Sequence, residues 1–153
     1  LKPCVRIGST LTQCSGKIIL FGGFSKTALN EIHILDPKTS TWSIATIHRG
    51  SRPNERYGHT CAVYKGNLVI FGGEQKYNTE IKYRETFADV WQYNVLMNEF
   101  KCLSQGNKLV CESRKNHSMA IVGFHLVVYG GLNSRGMFLD DLPVYNFGTL
   151  QNL

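Results

Sequence analysis

The 153-residue chain has no apolar run that approaches the ~20 residues of a membrane-spanning helix. Its apolar stretches, such as Ile18 to Phe21, Leu68 to Phe71 and Leu126 to Tyr129, are short. No 3.6-residue period of useful length appears, which leaves no place for long helices or a coiled coil. Lys2, Pro3, Arg6 and Gly8 interrupt the start, so we expect no secretory leader there. The first residue is Leu1 rather than Met, and we expect further chain ahead of it. Only four prolines stand against fifteen glycines, a balance that points to many tight turns. No two of the five cysteines (4, 14, 61, 102 and 111) have CxxC spacing, and their number is odd. They read as free thiols in a reducing compartment, hence a cytoplasmic protein. Cys and His do not converge at zinc-ligand spacing, so we expect no metal and no cofactor. GxSxG, HExxH and a phosphate-cradling glycine loop before a helix are all missing, and the chain reads as a non-enzyme.

What is present is a folded composition, 42% hydrophobic with 11% aromatic, and a formal charge of +6. That charge suits an acidic partner or a mildly basic solvated surface. No stacking aromatics accompany a long basic stripe, so nucleic acid is not expected as a partner.

The chain repeats itself. IILFGG (18–23), LVIFGG (68–73) and LVVYGG (126–131) are β-forming runs closed by two glycines. Sixteen residues before each first glycine stands an arginine: Arg6, Arg56 and Arg114. Fourteen before stand Gly8, Gly58 and Asn116, thirteen before Ser9, His59 and His117, and twelve before Thr10, Thr60 and Ser118. No insertion breaks this register, as a hairpin demands, because one extra residue turns every side chain to the wrong face. The hairpins turn near Gly66 and Gly123. After each glycine pair come a variable loop and a third strand: 30–36, 89–95 and 141–146. A fourth strand follows at 41–47 and 99–105, opened by Trp42 and Phe100, each ten residues after Ile32 or Val90. Four strands in roughly 50 residues is the mark of a β-propeller blade.

The pattern resembles the kelch family through Arg56, Gly58, His59, Gly72, Gly73, Val90, Tyr93 and Phe100. The first copy carries it in Arg6, Gly8, Gly22, Gly23, Ile32, Leu35 and Trp42. It departs at Ser9, at Leu35, and at Asn152, where the third copy's aromatic should fall. No Trp-Asp closes a repeat, which disfavours WD-type blades. The expected architecture is all-β, with four-stranded antiparallel kelch blades at about 5–50, 55–110 and 113–153, the last incomplete. Three blades cannot easily close a ring. We therefore expect part of a six- or seven-bladed propeller, completed by missing blades or by self-association.

Each repeated residue has a structural reading. The glycine pair sits where a Cβ would clash. Trp42 and Phe100 fill the space between blades, and Tyr93 and Tyr145 pack similarly with their hydroxyls tied to backbone. The arginines either hold carbonyls of a neighbouring blade or bind a partner. His59 and His117 lie near one mouth of the channel, and Ser9 in the third position argues against a metal ring there. Asp89, Asp140 and Asp141 read as solvated strand ends.

Recognition belongs to the loops that vary. The loop after the glycines (24–29, 74–88 and 132–138) carries Lys76, Tyr77, Tyr83, Arg84 and Arg135. The linker between blades adds Arg49 and Arg52. Tyrosine interleaved with arginine suits a protein interface, and a solvated insertion is the other reading of the long middle loop. The resemblance implies a protein-interaction module: a scaffold, a cytoskeletal partner or, with a BTB or F-box region, a ubiquitin-ligase substrate receptor. The alternative is a propeller domain of a larger enzyme, oxidase-like or phosphatase-associated. Protein partners are expected, and no membrane.

Overall fold

The computed structural model describes residues 2–47, 50–75, 85–104 and 111–150, without the side chains of 149 and 150. Blade 1 contains β1 (Thr10–Cys14), β2 (Lys17–Phe21), β3 (Ile32–Asp36) and β4 (Thr41–Ile44). Blade 2 contains β5 (Thr60–Tyr64), β6 (Asn67–Phe71), β7 (Val90–Asn94) and β8 (Glu99–Cys102). Blade 3 contains β9 (Ser118–Val122), β10 (His125–Tyr129) and β11 (Val144–Asn146), followed by one helical turn, α1 (Phe147–Leu150). Every blade is an antiparallel meander in which chain neighbours pair. The third and fourth strands are shorter than their apolar patterns predict. β11 begins only after Pro143, whose carbonyl still accepts from Val128 N–H at 3.0 Å. The single turn α1 is not foreseen by the sequence pattern.

The inner hairpins pair without a bulge, from Thr60↔Phe71 to Tyr64↔Asn67 in blade 2. Their turn passes through Lys65 and Gly66 at φ 48° and 75°. Two residues of positive φ give the mirror-image turn that matches the twist of the flanking strands.

The core lies between blades. Leu68, Ile70, Trp91, Tyr93 and Phe100 of blade 2 pack on Cys14, Ile19, Phe21 and Ile32 of blade 1. Val69, Phe71 and Val90 on the opposite face of blade 2 pack on Leu126, Val128 and Phe147 of blade 3. A strand buried on both faces must be apolar at every position, which is why β6 lacks the alternation of a half-exposed strand. Each such side chain contributes about 1.5–3 kcal/mol when fully buried.

Backbone hydrogen bonds repeat at both junctions. Gly58 N–H donates to Gly8 C=O (2.9 Å) as Asn116 N–H donates to Gly58 C=O (2.8 Å). Gly23 N–H donates to Arg56 C=O as Gly73 N–H donates to Arg114 C=O, both at 2.9 Å. Arg56 N–H donates to Leu29 C=O as Arg114 N–H donates to Phe87 C=O, both at 3.0 Å.

The close approach explains the glycine pair. A Cβ on Gly72 would stand 2.7 Å from Arg114 O and 2.7 Å from His117 Cε1 of the next blade, at φ +67°. Gly130 has the same backbone angle, φ +68°, but nothing nearer than Leu139 O at 3.6 Å. We therefore expect Gly72→Ala to lose about 2–3 kcal/mol, strain and crowding together. Gly130→Ala in the isolated chain should lose only the strain, about 1 kcal/mol. Urea unfolding of both variants checks this, and equal losses would refute the crowding.

One expectation is met in blade 2, and another needs correction. Phe100 is an inter-blade anchor, but its counterpart Trp42 lies half-buried on the face of blade 1 turned away from blade 2, in edge contact with His33. The Tyr93 hydroxyl donates to the side chain of Asn98 at 2.7 Å rather than to backbone, because the β7–β8 turn brings Asn98 over it. Tyr145 lies beside Cys111 and Arg114, and burial pushes its phenol upward.

Candidate interaction face

Each arginine is built into the blade. Arg56 and Arg114 are fully buried. The Arg56 fork donates to both carboxylate oxygens of Asp89, at 2.7 and 2.9 Å, and to Gly72 O at 2.9 Å. Its Nε reaches Asn54 O, and its guanidinium lies 4.3 Å from the centre of the Phe87 ring. Arg114 repeats this with Asp141, twice at 2.7 Å, and Gly130 O. These partners belong to the arginine's own blade, not to the neighbouring one, because the fork runs along the blade to the start of its third strand. Asp89 and Asp141 are therefore ion-pair partners and not merely solvated strand ends, and Arg114 holds the Asp141 carboxyl below its ordinary range. Asp140 is exposed. In blade 1 the acid is Glu31, held by Arg6 at a looser 3.4 Å.

The histidines are wedges between blades rather than lining for a channel mouth. His59 Nε2 meets Thr10 Oγ1 at 3.0 Å, and its ring stands edge-on to Phe21. His117 Nε2 meets Thr60 Oγ1 at 2.7 Å, edge-on to Phe71. Burial, helped by the nearby Arg56 charge, drives His59 down to about 3. Burial and Arg114 drive His117 down to about 4. Both rings are neutral at pH 7. An unfolded histidine takes up its proton near pH 6.5. The folded state does not, so stability is full above 6.5 and falls as pH drops from there through 4 and 3. The depressed Asp141 and Asp36 carboxyls add their loss only below about 4, near the unfolded Asp value. We expect the urea midpoint to fall between pH 7 and 4.5, and His59→Gln to flatten that dependence. An unchanged slope in the variant would contradict a neutral buried His59. Among the described residues no three His, Cys, Asp or Glu side chains converge to hold a metal.

The loops after the glycines and the segments that start each blade meet on one face. Ile7 bridges Phe24, which bridges Ala28; Tyr57 bridges Glu74, which bridges Thr86; Lys115 bridges Leu132, which bridges Phe138. The residue after the arginine thus pairs with the residue after the glycines, and the side chains continue across blades. Phe24 packs on Tyr57 with ring centres 5.2 Å apart. The buried Glu74 pairs with Lys115 Nζ at 2.6 Å.

Between blades 2 and 3 this face holds a cleft of about 230 Å³, floored by Glu74 and Lys115 and walled by Asn133 to Gly136. Asn133 is buried and shapes the wall. Its Nδ2 donates to Glu112 at 2.7 Å, and its Oδ1 accepts from Arg135 N–H and Met137 N–H. That turn leaves Arg135 exposed beside Met137 and Phe138, which are 57% and 89% exposed. An exposed arginine beside an exposed aromatic is the composition of an interface hot spot.

The family match extends over residues 1–152, to the KLHDC2/KLHL20/DRC7 Kelch-repeats domain. The chain belongs to the kelch-repeat family. It is 31% identical to mouse Kelch domain-containing protein 1 over 126 residues, 78% of this chain and 28% of that protein. It is 30% identical to the N-(sulfonatooxy)prop-2-enimidothioate sulfolyase of Thlaspi arvense, across 97% of this chain and 41% of that protein. This kelch chain therefore spans less than half the length of these relatives. Among solved structures, that of YjhT superimposes with a TM-score of 0.77 at 16% identity, covering 95% of this chain and 50% of the other. That likeness concerns the fold.

Of the residues expected to bind a partner, Arg52 and Arg135 are exposed. Arg49, Lys76, Tyr77, Tyr83 and Arg84 lie outside the described residues. The kelch face also offers residues that the sequence reading missed: Glu74, Lys115, Met137 and Phe138. The first two were legible in principle, since each directly follows a repeated glycine pair or arginine.

Proposed function

We propose that this chain is a protein-interaction module that binds its partner on the loop face, with Arg135 and Phe138 beside the cleft as anchors. The carrying observation is that the repeated arginines and their acids are spent on pairs within the blades, while the 132–138 loop puts Arg135, Met137 and Phe138 into solvent. Arg52 lies on a blade linker, the same class of segment that meets the loops at Tyr57 and Lys115. Arg49, Lys76, Tyr77, Tyr83 and Arg84 remain candidate partner-binding residues on the sequence pattern alone. The five cysteines form no disulfide, which supports a reducing, cytoplasmic setting. No described helix is long and apolar enough to cross a membrane.

The test compares two double variants in pull-downs. Arg135→Ala with Phe138→Ala should lose a partner that the chain retains. Leu96→Ala with Met97→Ala, on the exposed β7–β8 turn, should keep it. The reverse outcome would move the binding surface to that turn. A second reading, a propeller domain within an enzyme, is favoured by the similarity to a sulfolyase over 97% of the chain. Stoichiometric copper or zinc in the purified protein would support it against a pure interaction role.

A further inference from the structure

The meander of each blade places two kinds of turn at the end opposite the glycine pairs: the inner hairpin turn and the turn between the third and fourth strands. The described turns at that end are 15–16, 37–40, 65–66, 95–98 and 123–124. Three large apolar side chains stand in solvent there. Leu96 is 84% exposed, and Met97 and Phe124 are each 62% exposed.

The fold does not require these side chains. The 94–98 turn is held from its flanks. Asn94 Oδ1 accepts from Leu96 N–H at 3.0 Å and Met97 N–H at 2.9 Å, and the buried Tyr93 donates to Asn98. Blade 1 builds the same turn, with Asp36 Oδ1 accepting from Lys38 N–H at 2.9 Å and Ser40 repeating the positive φ of Asn98. Lys38 and Thr39 occupy the places of Leu96 and Met97 in that turn. The exposure is also a property of the turns and not of an open blade face. Leu96 and Met97 stand on blade 2, which is stacked on both sides. Phe124 takes the place of Gly16 and Gly66. A Cβ on Gly16 would meet nothing within 4 Å, and one on Gly66 only Ser15 Oγ at 3.8 Å, although each of those hairpins has a further blade stacked beyond it.

Cations share this end. Lys38 and Lys65 are exposed at their turns. None of the five turns contains an acid. The acids that flank them are Asp36, paired with Lys17, and Glu99, half-buried. The loop face, by contrast, exposes Glu85, Glu112 and Asp140. The apolar tips project from separate blades, and they line neither the loop-face cleft nor the cleft of about 210 Å³ beside Asn94. Separate apolar tips with lysines among them match a plane that is anionic at its surface and apolar beneath, which is a leaflet rich in anionic lipid.

We propose that the turn end of this chain rests on an anionic lipid surface. Leu96, Met97 and Phe124 enter the headgroup boundary, and Lys38 and Lys65 meet the charged headgroups. The contact is with one leaflet and is not a span. It leaves the loop face to a protein partner and does not rest on that reading.

Vesicle sedimentation of the purified protein tests this, with phosphatidylcholine vesicles that contain phosphatidylserine and with phosphatidylcholine alone. The protein should pellet with the mixed vesicles and not with the neutral ones, and added salt should weaken binding. Leu96→Ser with Met97→Ser should lower the partition coefficient at least about tenfold. Lys38→Gln and Lys65→Gln should each lower it about fivefold. Lys26→Gln, at an exposed lysine on the loop end, should leave it unchanged. The substituted positions are exposed, so circular dichroism and the urea midpoint of each variant should match the parent. Pelleting with neither vesicle, equal pelleting with both, or binding unmoved by the Leu96 and Met97 pair would each overturn the proposal. Loss of a protein from pull-downs by that pair, without vesicle binding, would give the turn end to a protein instead.

Discussion

Replacing Arg56 with Met should lower the stability of the chain by about 3–5 kcal/mol, because it breaks a buried pair by removing one member. The Arg56 side chain is 0% exposed and its partner Asp89 is 27% exposed, so the carboxylate can recover some water and the loss should lie near the lower bound. The change also strands Gly72 C=O, which accepts from Arg56 at 2.9 Å, and the indole of Trp91, which shares Asp89 at 2.6 Å, loses an oriented acceptor. Arg56→Lys keeps the charge but not the planar fork, so it should recover only part of the loss. The internal comparison is Arg6→Met. There the acid stands at 3.4 Å and the carbonyl of Gly22 at 3.1 Å, and a loss of about 1.5 kcal/mol is expected. Urea unfolding with an unchanged slope measures both. If the two substitutions cost the same, the bidentate pair is not what holds the blade.

Phe147→Ala should cost a similar 3–5 kcal/mol, the range for truncating a buried phenylalanine. Phe147 is 0% exposed and stacks on Tyr64 with ring centres 4.1 Å apart and planes 11° from parallel. It joins Val69, Phe71, Leu126 and Val128 between blades 2 and 3. Blade 2 places Phe100 from its fourth strand against blade 1. Blade 3 has no fourth strand among the described residues, and Phe147 covers the corresponding junction from the turn after β11. Its N–H donates to Phe124 O at 2.8 Å, which pins the turn to the β9–β10 hairpin. Phe147→Leu, with most of the volume retained, should cost under about 1.5 kcal/mol. An alanine variant within 0.5 kcal/mol of the parent would mean that the junction closes over the gap.

These two residues differ in how far they could be read from the chain. Arg56 was visible through its fixed distance to the glycine pair, and its burial was one of two readings. Its acidic partner was not visible, because the intervening loop varies. The arginine stands 33 residues from its acid in blade 2, 27 in blade 3 and 25 in blade 1. The signal that would have found it is positional: Glu31 and Asp89 directly precede the apolar residue that opens the third strand, and Asp141 precedes Leu142, two residues before β11. Phe147 was missed for the opposite reason. Spacing from the earlier copies pointed to Asn152, and a fixed spacing cannot anticipate that one helical turn brings an earlier aromatic to the same junction. On the loop face, Arg135 was named from its loop. Glu74 and Lys115 were not: their places after the glycine pair and the arginine are fixed in the repeat, but only the stacked blades set them 2.6 Å apart.

The strand-and-turn pattern, the unbroken inner hairpins and the glycine positions follow from the sequence by itself. Period-two alternation and positive φ are local demands, met or failed within a few residues. Tertiary structure alone decided which face of each blade meets which, that the arginines are neutralised within their own blades, and that the histidines sit dry between blades. Those outcomes depend on groups distant in sequence: Arg56 and Asp89 are 33 residues apart within one blade, and Thr10 and His59 are 49 apart, in a contact that exists only once blades stack. Stacking also decided which apolar faces remain open, because burial belongs to pairs of blades and is not a property of any one strand.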